Sequence, residues 1–184
     1  MTDNIRVMHY LNQFFGGVGG EEKANLPVQV RRGAVGPGQL LQQTLGDQGT
    51  LVATLIAGDN FFVEEEEAAA QAVGEALQAY QPHVLVAGPA FASGRYGLAC
   101  ARICKQAQEQ GIPAVTAMTP DNPGLITFRR HIIAIPTGTS PVEMRSLMNR
   151  MSRLALKLGR GEALGPAHQE GYLPRGIRKP VVHE

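Results

Sequence analysis

The chain has 184 residues, 43% of them hydrophobic and 18% charged, with a formal net charge of +1. That length suits one domain with its own core, and the composition excludes a disordered chain in favour of a compact soluble one. No net field favours nucleic acid or an anionic membrane, no apolar run reaches the roughly 18–20 residues that span a bilayer, and the start, MTDNIRVMHY, lacks the basic and apolar stretches of a signal peptide, so a cytoplasmic protein is expected.

Ile5 and Val7, flanked by Arg6 and Met8, read as a first strand over residues 5–8. It empties into residues 9–23, HYLNQFFGGVGGEEK, where polar side chains, Gly16, Gly17, Gly19 and Gly20, and the carboxylates of Glu21 and Glu22 gather. Strand exits in parallel sheets line ligand crevices, and glycines permit close approaches that other residues resist. GPGQLLQQTLG predicts a helix over residues 38–46, and a second strand covers 51–57. A helix over 64–80 opens on Glu64, Glu65, Glu66 and Glu67. Their charge complements the positive end of the helix dipole, and they read as a solvated helix start, not as metal ligands. A strand over 83–87 leads to a helix over 95–110, ended by Gly111 and Pro113. Strands over 114–117 and 131–135 follow, then a helix over 141–158. In that last helix Met144, Leu147, Met148, Met151, Leu154 and Leu158 form an apolar stripe, while Arg145, Arg150, Arg153 and Lys157 recur along it.

This alternation predicts an α/β fold: doubly wound, with a mostly parallel five-stranded sheet, flavodoxin-like in the order 2-1-3-4-5, and a crevice between the first and third strands. Residues 1–158 form the α/β domain. Residues 159–184, rich in Gly, Pro and charge, read as an extended irregular tail that docks on a partner through Tyr172, Leu173 and Ile177.

Candidate chemistry clusters at strand exits. His9, Glu21 and Glu22 are the candidates for catalysis, and Tyr10, Asn12, Asp59, Asn60, Arg95 and Tyr96 for substrate contact. AGDN (57–60) offers a carboxylate and an amide, and GPAFASGRYG (88–97) opens a helix whose free N–H groups, with Arg95, suit an anion. TPDNPG (119–124) and PTGTSP (136–141) follow the next two strands. Each residue also has a plainer reading: Asp59 as a turn or cap, Arg95 as a surface helix start, His9 as a hydrogen-bonded strand-end histidine. Cys100 and Cys104, one turn apart, read as small buried apolar residues, and they lack further ligands for a metal. There is no GxGxxG, P-loop or GxSxG pattern, and no complete catalytic apparatus.

The strings HYLNQFFGGVGGEEKA, GAVGPG (33–38), AGDNFF, VAGPAFASGRYGLACARICK, GIPAVTAM, NPG (122–124) and EGYLPRGIR run in order over residues 5–178. Together they resemble the N-terminal part of component B of glycine, sarcosine and betaine reductases. The resemblance implies a subunit of an oxidoreductase complex that reductively cleaves a C–N bond in a small amino-acid-like substrate, a Cys or Sec taking up the carbon fragment. It places that group in a U/C-x-x-C-x-x-C-like segment of a C-terminal half that this sequence lacks. The expectation is therefore a split component, inactive alone, whose partner subunit carries the reactive Cys or Sec; a fragment of a longer product is the other reading. No cofactor is assigned to this chain, and a pyruvoyl group would belong to an adjoining subunit. For a zwitterionic substrate, Arg95 and the helix start beside it would hold the carboxylate, and Glu21, Glu22 or Asp59, with Tyr10 or Tyr96, would face the cation. Two alternatives stand beside this: a heteromeric reductase-like enzyme acting on a different C–S or C–N bond, and a non-catalytic binding or scaffold subunit.

Overall fold

The computed structural model describes residues 4–176. Its strands are β1 (Ile5–Asn12), β2 (Gln29–Arg32), β3 (Gly49–Ala57), β4 (Val84–Phe91), β5 (Ala114–Met118) and β6 (Ala134–Pro136). They form one sheet in the order β2-β3-β1-β4-β5-β6. Neighbours are parallel except β2, which pairs antiparallel with β3 from Gln29 opposite Ile56 to Arg32 opposite Ala53. The sheet is thus six-stranded and mixed, and the five-stranded expectation is corrected by β2. That edge strand, QVRR, is half-buried at its first residue and exposed at the other three, so it carries no apolar alternation to betray it.

Boundaries differ from the sequence reading as well: β4 runs on from 87 to Phe91, and β6 lies over Ala134–Pro136, not 131–135, where His131 closes a short 3-10 turn. β1 continues through His9, Tyr10, Leu11 and Asn12, held opposite Thr54, Leu55, Ile56 and Ala57 of β3. Residues that read as a loop are here strand, because β3 pairs with them as far as Asn12 and β4 on the other side as far as Tyr10. The helix expected over 64–80 is α3 (Glu66–Tyr80), and a separate short helix, α2 (Asp59–Glu64), precedes it, the two broken at Glu65. Four adjacent glutamates give a continuous helix no favourable pairs there, whereas α2 gains by turning Phe62 into the core against Tyr10, ring centroids 5.2 Å apart.

Both faces of the sheet are covered. α1 (Gly38–Leu45) and α6 (Met144–Gly159) bring Leu41, Leu45, Leu147, Met148, Met151 and Leu154 against Val7, Val86 and Val115. α2, α3, α4 (Gly94–Glu109) and α5 (Pro123–Phe128) cover the other face, where Val73, Leu77, Cys100, Ile103 and Cys104 meet Met8, Leu55 and Leu85. Each fully buried aliphatic side chain of this kind contributes about 1.5–3 kcal/mol.

The contact of α4 with α5 depends on two glycines and one amide. A Cβ on Gly97 would overlap the Asn122 side chain, and one on Gly124 would overlap the Gly97 carbonyl. Buried Asn122 caps α5 by accepting from the Gly124 N–H at 2.9 Å, and its amide donates to the carbonyls of Phe91 and Ser93, both at 3.0 Å.

After α6 the chain turns back on its own domain through α7 (Ala167–Glu170). Buried Glu170 accepts from Lys157 Nζ at 2.6 Å and from the Gly165 N–H at 2.9 Å. The Leu173 N–H then donates to the Ala134 carbonyl at 2.8 Å, and Arg129 Nε to the Pro174 carbonyl at 2.7 Å. Tyr172 and Leu173 pack against the domain's own core; Ile177, the third residue expected to dock, lies outside the described residues. Among the described residues no helix is long and apolar enough to cross a membrane, and no group of three or more His, Cys, Asp or Glu is placed to hold a metal.

Gly97→Ala is expected to destabilise the chain by about 1–3 kcal/mol in urea unfolding, as overpacking does. Gly138→Ala, where a Cβ meets nothing, should stay within about 0.5 kcal/mol of the parent. Lys157 holds the Glu170 carboxyl below its ordinary value of 4.5, so the anchor is at full strength above that value and is lost as pH falls through the lower, folded-state one. Limited proteolysis should therefore cut within 160–176 faster in Glu170→Ala at neutral pH, and in the parent only on acidification.

Candidate functional site

The loops after β1, β3 and β4 meet at the C-terminal edge of the sheet, where adjacent parallel strands discharge their connections together. The β1 loop turns at once: the Gly16 N–H returns to the Asn12 carbonyl at 2.8 Å and the Val18 N–H to that of Gln13 at 3.0 Å. Gly17, at φ +75°, occupies the left-handed region between them. The loop then settles on the start of α2. The Ala24 carbonyl accepts from the N–H groups of Asn60 and Phe61 at 2.8 and 3.0 Å, and Gln13 Oε1 from that of Asp59 at 3.1 Å. The donors of that helix end are thereby met within the chain.

Between these elements lies a cleft of about 310 Å³ lined by Asn12, Gln13, Phe14, Phe15, Gly20, Glu21, Asp59, Ser93 and Tyr96. Asn12 is buried and makes two bonds: its Nδ2–H donates to Asp59 Oδ2 at 3.1 Å, and its Oδ1 accepts from the Phe15 N–H at 2.9 Å. Asp59 Oδ1 is buried with no hydrogen-bond partner in the structure. Burial pushes the Asp59 carboxyl up from 3.8 to about 6; the Asn12 hydrogen bond opposes this, Glu21 adds to it and Arg95 opposes it. Aromatic rings form one wall, with Phe15 stacked on Tyr96 at 5.9 Å and Phe14 edge-on to Phe15 at 5.3 Å.

The expected site residues divide by position. Asn12, Glu21, Asp59 and Tyr96 line the cleft together. Arg95 and Asn60 stand beside it, and the exposed Arg95 guanidinium donates to the Asn60 carboxamide. Tyr10 is fully buried behind the wall, its ring 6.0 Å from Tyr96, and its hydroxyl has no hydrogen-bond partner in the structure. Glu22 is spent on the loop: its carboxylate accepts from the Gly20 N–H at 3.1 Å, and backbone hydrogen bonds hold it below its ordinary range. His9 belongs to the opposite face. Side chains alternate along a strand, so His9 follows Val7 toward α1, where its Nδ1 would lie 3.0 Å from a Cβ on Gly38. Its Nε2–H donates to the Gly88 carbonyl at 2.7 Å, and burial lowers its pKa to about 4, so the ring is neutral near pH 7.

The cleft also uses residues that were not among the catalytic or substrate-contact candidates: Gln13, Phe14, Phe15, Gly20 and Ser93. Four of them lie inside the 9–23 stretch, and the adjacent amides of Asn12 and Gln13 at a strand exit were the available signal. Cys100 and Cys104 are fully buried, and burial raises both thiols well above their ordinary range.

The family described as glycine/sarcosine/betaine reductase selenoprotein B matches residues 4–184. Among curated proteins, the chain is 46% identical over 181 residues to the sarcosine reductase complex component B subunit beta of Peptoclostridium acidaminophilum, covering 98% of this chain and 42% of that protein. It is 44% identical to the glycine reductase complex component B subunit gamma of Carboxydothermus hydrogenoformans, with the same coverage. Against the betaine reductase complex component B subunit beta of Peptoclostridium acidaminophilum the identity is 39%, over 92% of this chain and 39% of that one. The chain thus spans about two fifths of the length of these relatives. No solved structure matches it.

The raised carboxyl of Asp59 has a consequence for stability. The folded state binds its proton more tightly than the unfolded chain between pH 3.8 and about 6, so the stability linked to that proton is present at low pH and is lost as pH rises through about 6. Asp59→Asn should therefore raise Tm at about pH 8, and the gain should shrink as pH is lowered toward about 4, measured by thermal unfolding across that range.

Proposed function

Because the chain belongs to the glycine/sarcosine/betaine reductase selenoprotein B family, we propose that it is a subunit of a reductase complex of that kind and supplies the substrate-binding wall of its active site. The reaction is thiol- or selenol-dependent reductive cleavage of a C–N bond in a small amino-acid-like substrate. The observation that carries this reading is the cleft itself, which sets the buried carboxylate of Asp59 and the exposed carboxylate of Glu21 beside an aromatic wall at the C-terminal edge of the sheet. Such a lining suits a small cation, since carboxylates attract an ammonium and aromatic faces tolerate it.

The residues of this chain bind and orient. Asp59 and Glu21 receive the cationic end. Asn12 and Gln13 hold Asp59 in place, one through its side chain and the other through its N–H. Arg95, released from Asn60, reaches the substrate carboxylate from the rim. Cys100 and Cys104 do not fit the role of reactive thiol, because both are fully buried and neither gives up its proton readily. The thiol or selenol, on another chain or on the remainder of a longer protein, would take up the carbon fragment while the amine departs with the bonding pair.

In the assembled complex, Asp59→Asn and Arg95→Ala are each expected to raise KM for substrate about tenfold or more, the loss that follows from one charged hydrogen bond. Affinity capture of the tagged chain should bring down a polypeptide whose Cys or Sec is alkylated by iodoacetamide and protected by substrate. Unchanged KM in both variants would overturn the binding role, and a capture without such a polypeptide would overturn the shared site.

A further inference from the structure

We propose that the edge of the sheet opposite the cleft carries an anion site, fitted to the phosphate group of a small phosphorylated molecule. A cavity of about 350 Å³ lies there, lined by Lys105, Gln108, Glu109, Arg130, His131 and Arg175. These residues come from three places: the last turns of α4, the 3-10 turn ahead of β6, and the chain after α7. Two bonds hold that last segment in place. The Leu173 N–H donates to the Ala134 carbonyl at 2.8 Å, and Arg129 Nε donates to the Pro174 carbonyl at 2.7 Å. Arg175 is thereby set beside Arg130 and His131 before any ligand arrives.

Two observations point to an anion. Gln108 lines the cavity, and its buried Nε2 donor finds no acceptor among the described residues; a buried donor left unpaired is costly. The side chains of Arg130, His131 and Arg175 likewise make no hydrogen bond or ion pair among the described residues. Glu109, the one carboxylate of the lining, is already neutralised by Lys105 Nζ at 2.6 Å, so the charge of both arginines is left over. Two planar guanidinium forks and an amide N–H offer donors from several directions, which suits a tetrahedral dianion better than a flat carboxylate of single charge. The same two arginines also line a second cavity of about 670 Å³ with Ala167, Tyr172 and Pro174. A phosphate held between the arginines leaves the organic part of its molecule room there, and both cavities fall in the range of about 300–1,000 Å³ usual for small ligands.

The test is titration of the full chain with inorganic phosphate, glycerol 3-phosphate and acetate at constant ionic strength, followed by the side-chain amide resonances of Gln108 and the backbone amides of Arg130 and His131. Both phosphates are expected to give saturable shifts and to bind at least about tenfold more tightly than acetate, the ratio that one additional charge-assisted hydrogen bond produces. Arg130→Ala and Arg175→Ala should each weaken phosphate binding about tenfold or more, with circular dichroism confirming the fold. Arg31→Ala, at an exposed arginine of β2, should leave binding unchanged. Absence of saturable shifts with either phosphate would overturn the site. Acetate binding as tightly as phosphate would overturn the assignment to a phosphate group, and full affinity in both Arg130→Ala and Arg175→Ala would overturn the role of the arginines. None of these residues lines the cleft, so each outcome is independent of the function proposed for it.

Discussion

One side chain joins three parts of this molecule. The Asn12 carboxamide, at the last residue of β1, donates to Asp59 at the first residue of α2 and accepts from Phe15 in the loop between β1 and β2. A buried amide must find partners for its donors and acceptor, so the strand end, the loop and the helix start are brought into one arrangement or none. Gln13 repeats the device from the next position, reaching the Asp59 N–H and the Gly20 carbonyl. The cleft exists because these two amides close the loop onto α2 without filling the space above Asp59.

The arrangement carries a cost that bears on function. A carboxylate sunk beside aromatic rings and a second carboxylate is held against its own preference, which is why its pKa rises. Packing alone would favour a neutral side chain at that position. Binding sites commonly retain such groups at the expense of stability. At the far side of the molecule Glu170 shows the opposite balance: Lys157 and the Gly165 N–H both donate to its Oε2, and it serves to hold the chain after α6 against the domain.

Much of the framework was legible from patterning. Apolar runs marked the positions of β1, β3, β4 and β5, the stripe from Met144 to Leu158 marked α6, and the glycine-rich and polar stretch after Ile5 and Val7 marked the place of the cleft. β2 was not legible, since a mostly exposed edge strand of Gln, Val and two Arg has no periodic signal and forms only because β3 offers an open edge. α2 was hidden for a related reason: six residues are too few to show a helical period, and the helix is held where Phe62 docks on Tyr10.

The candidate residues show the same division. Residue type and order along the chain determined that carboxylates, amides and aromatic rings would gather at strand exits, because those exits share one edge of a parallel sheet. Which of them face one another was decided in three dimensions. His9 and Tyr10 are neighbours in sequence, yet the alternation of a strand covered on both faces sends one toward α1 and the other toward α4. Glu21 and Glu22 are likewise adjacent, and a single loop hydrogen bond separates the one that lines the cleft from the one that does not. Sequence set the inventory of chemistry; strand pairing and the closure of the loop onto α2 set its geometry, since both depend on contacts between residues more than forty positions apart.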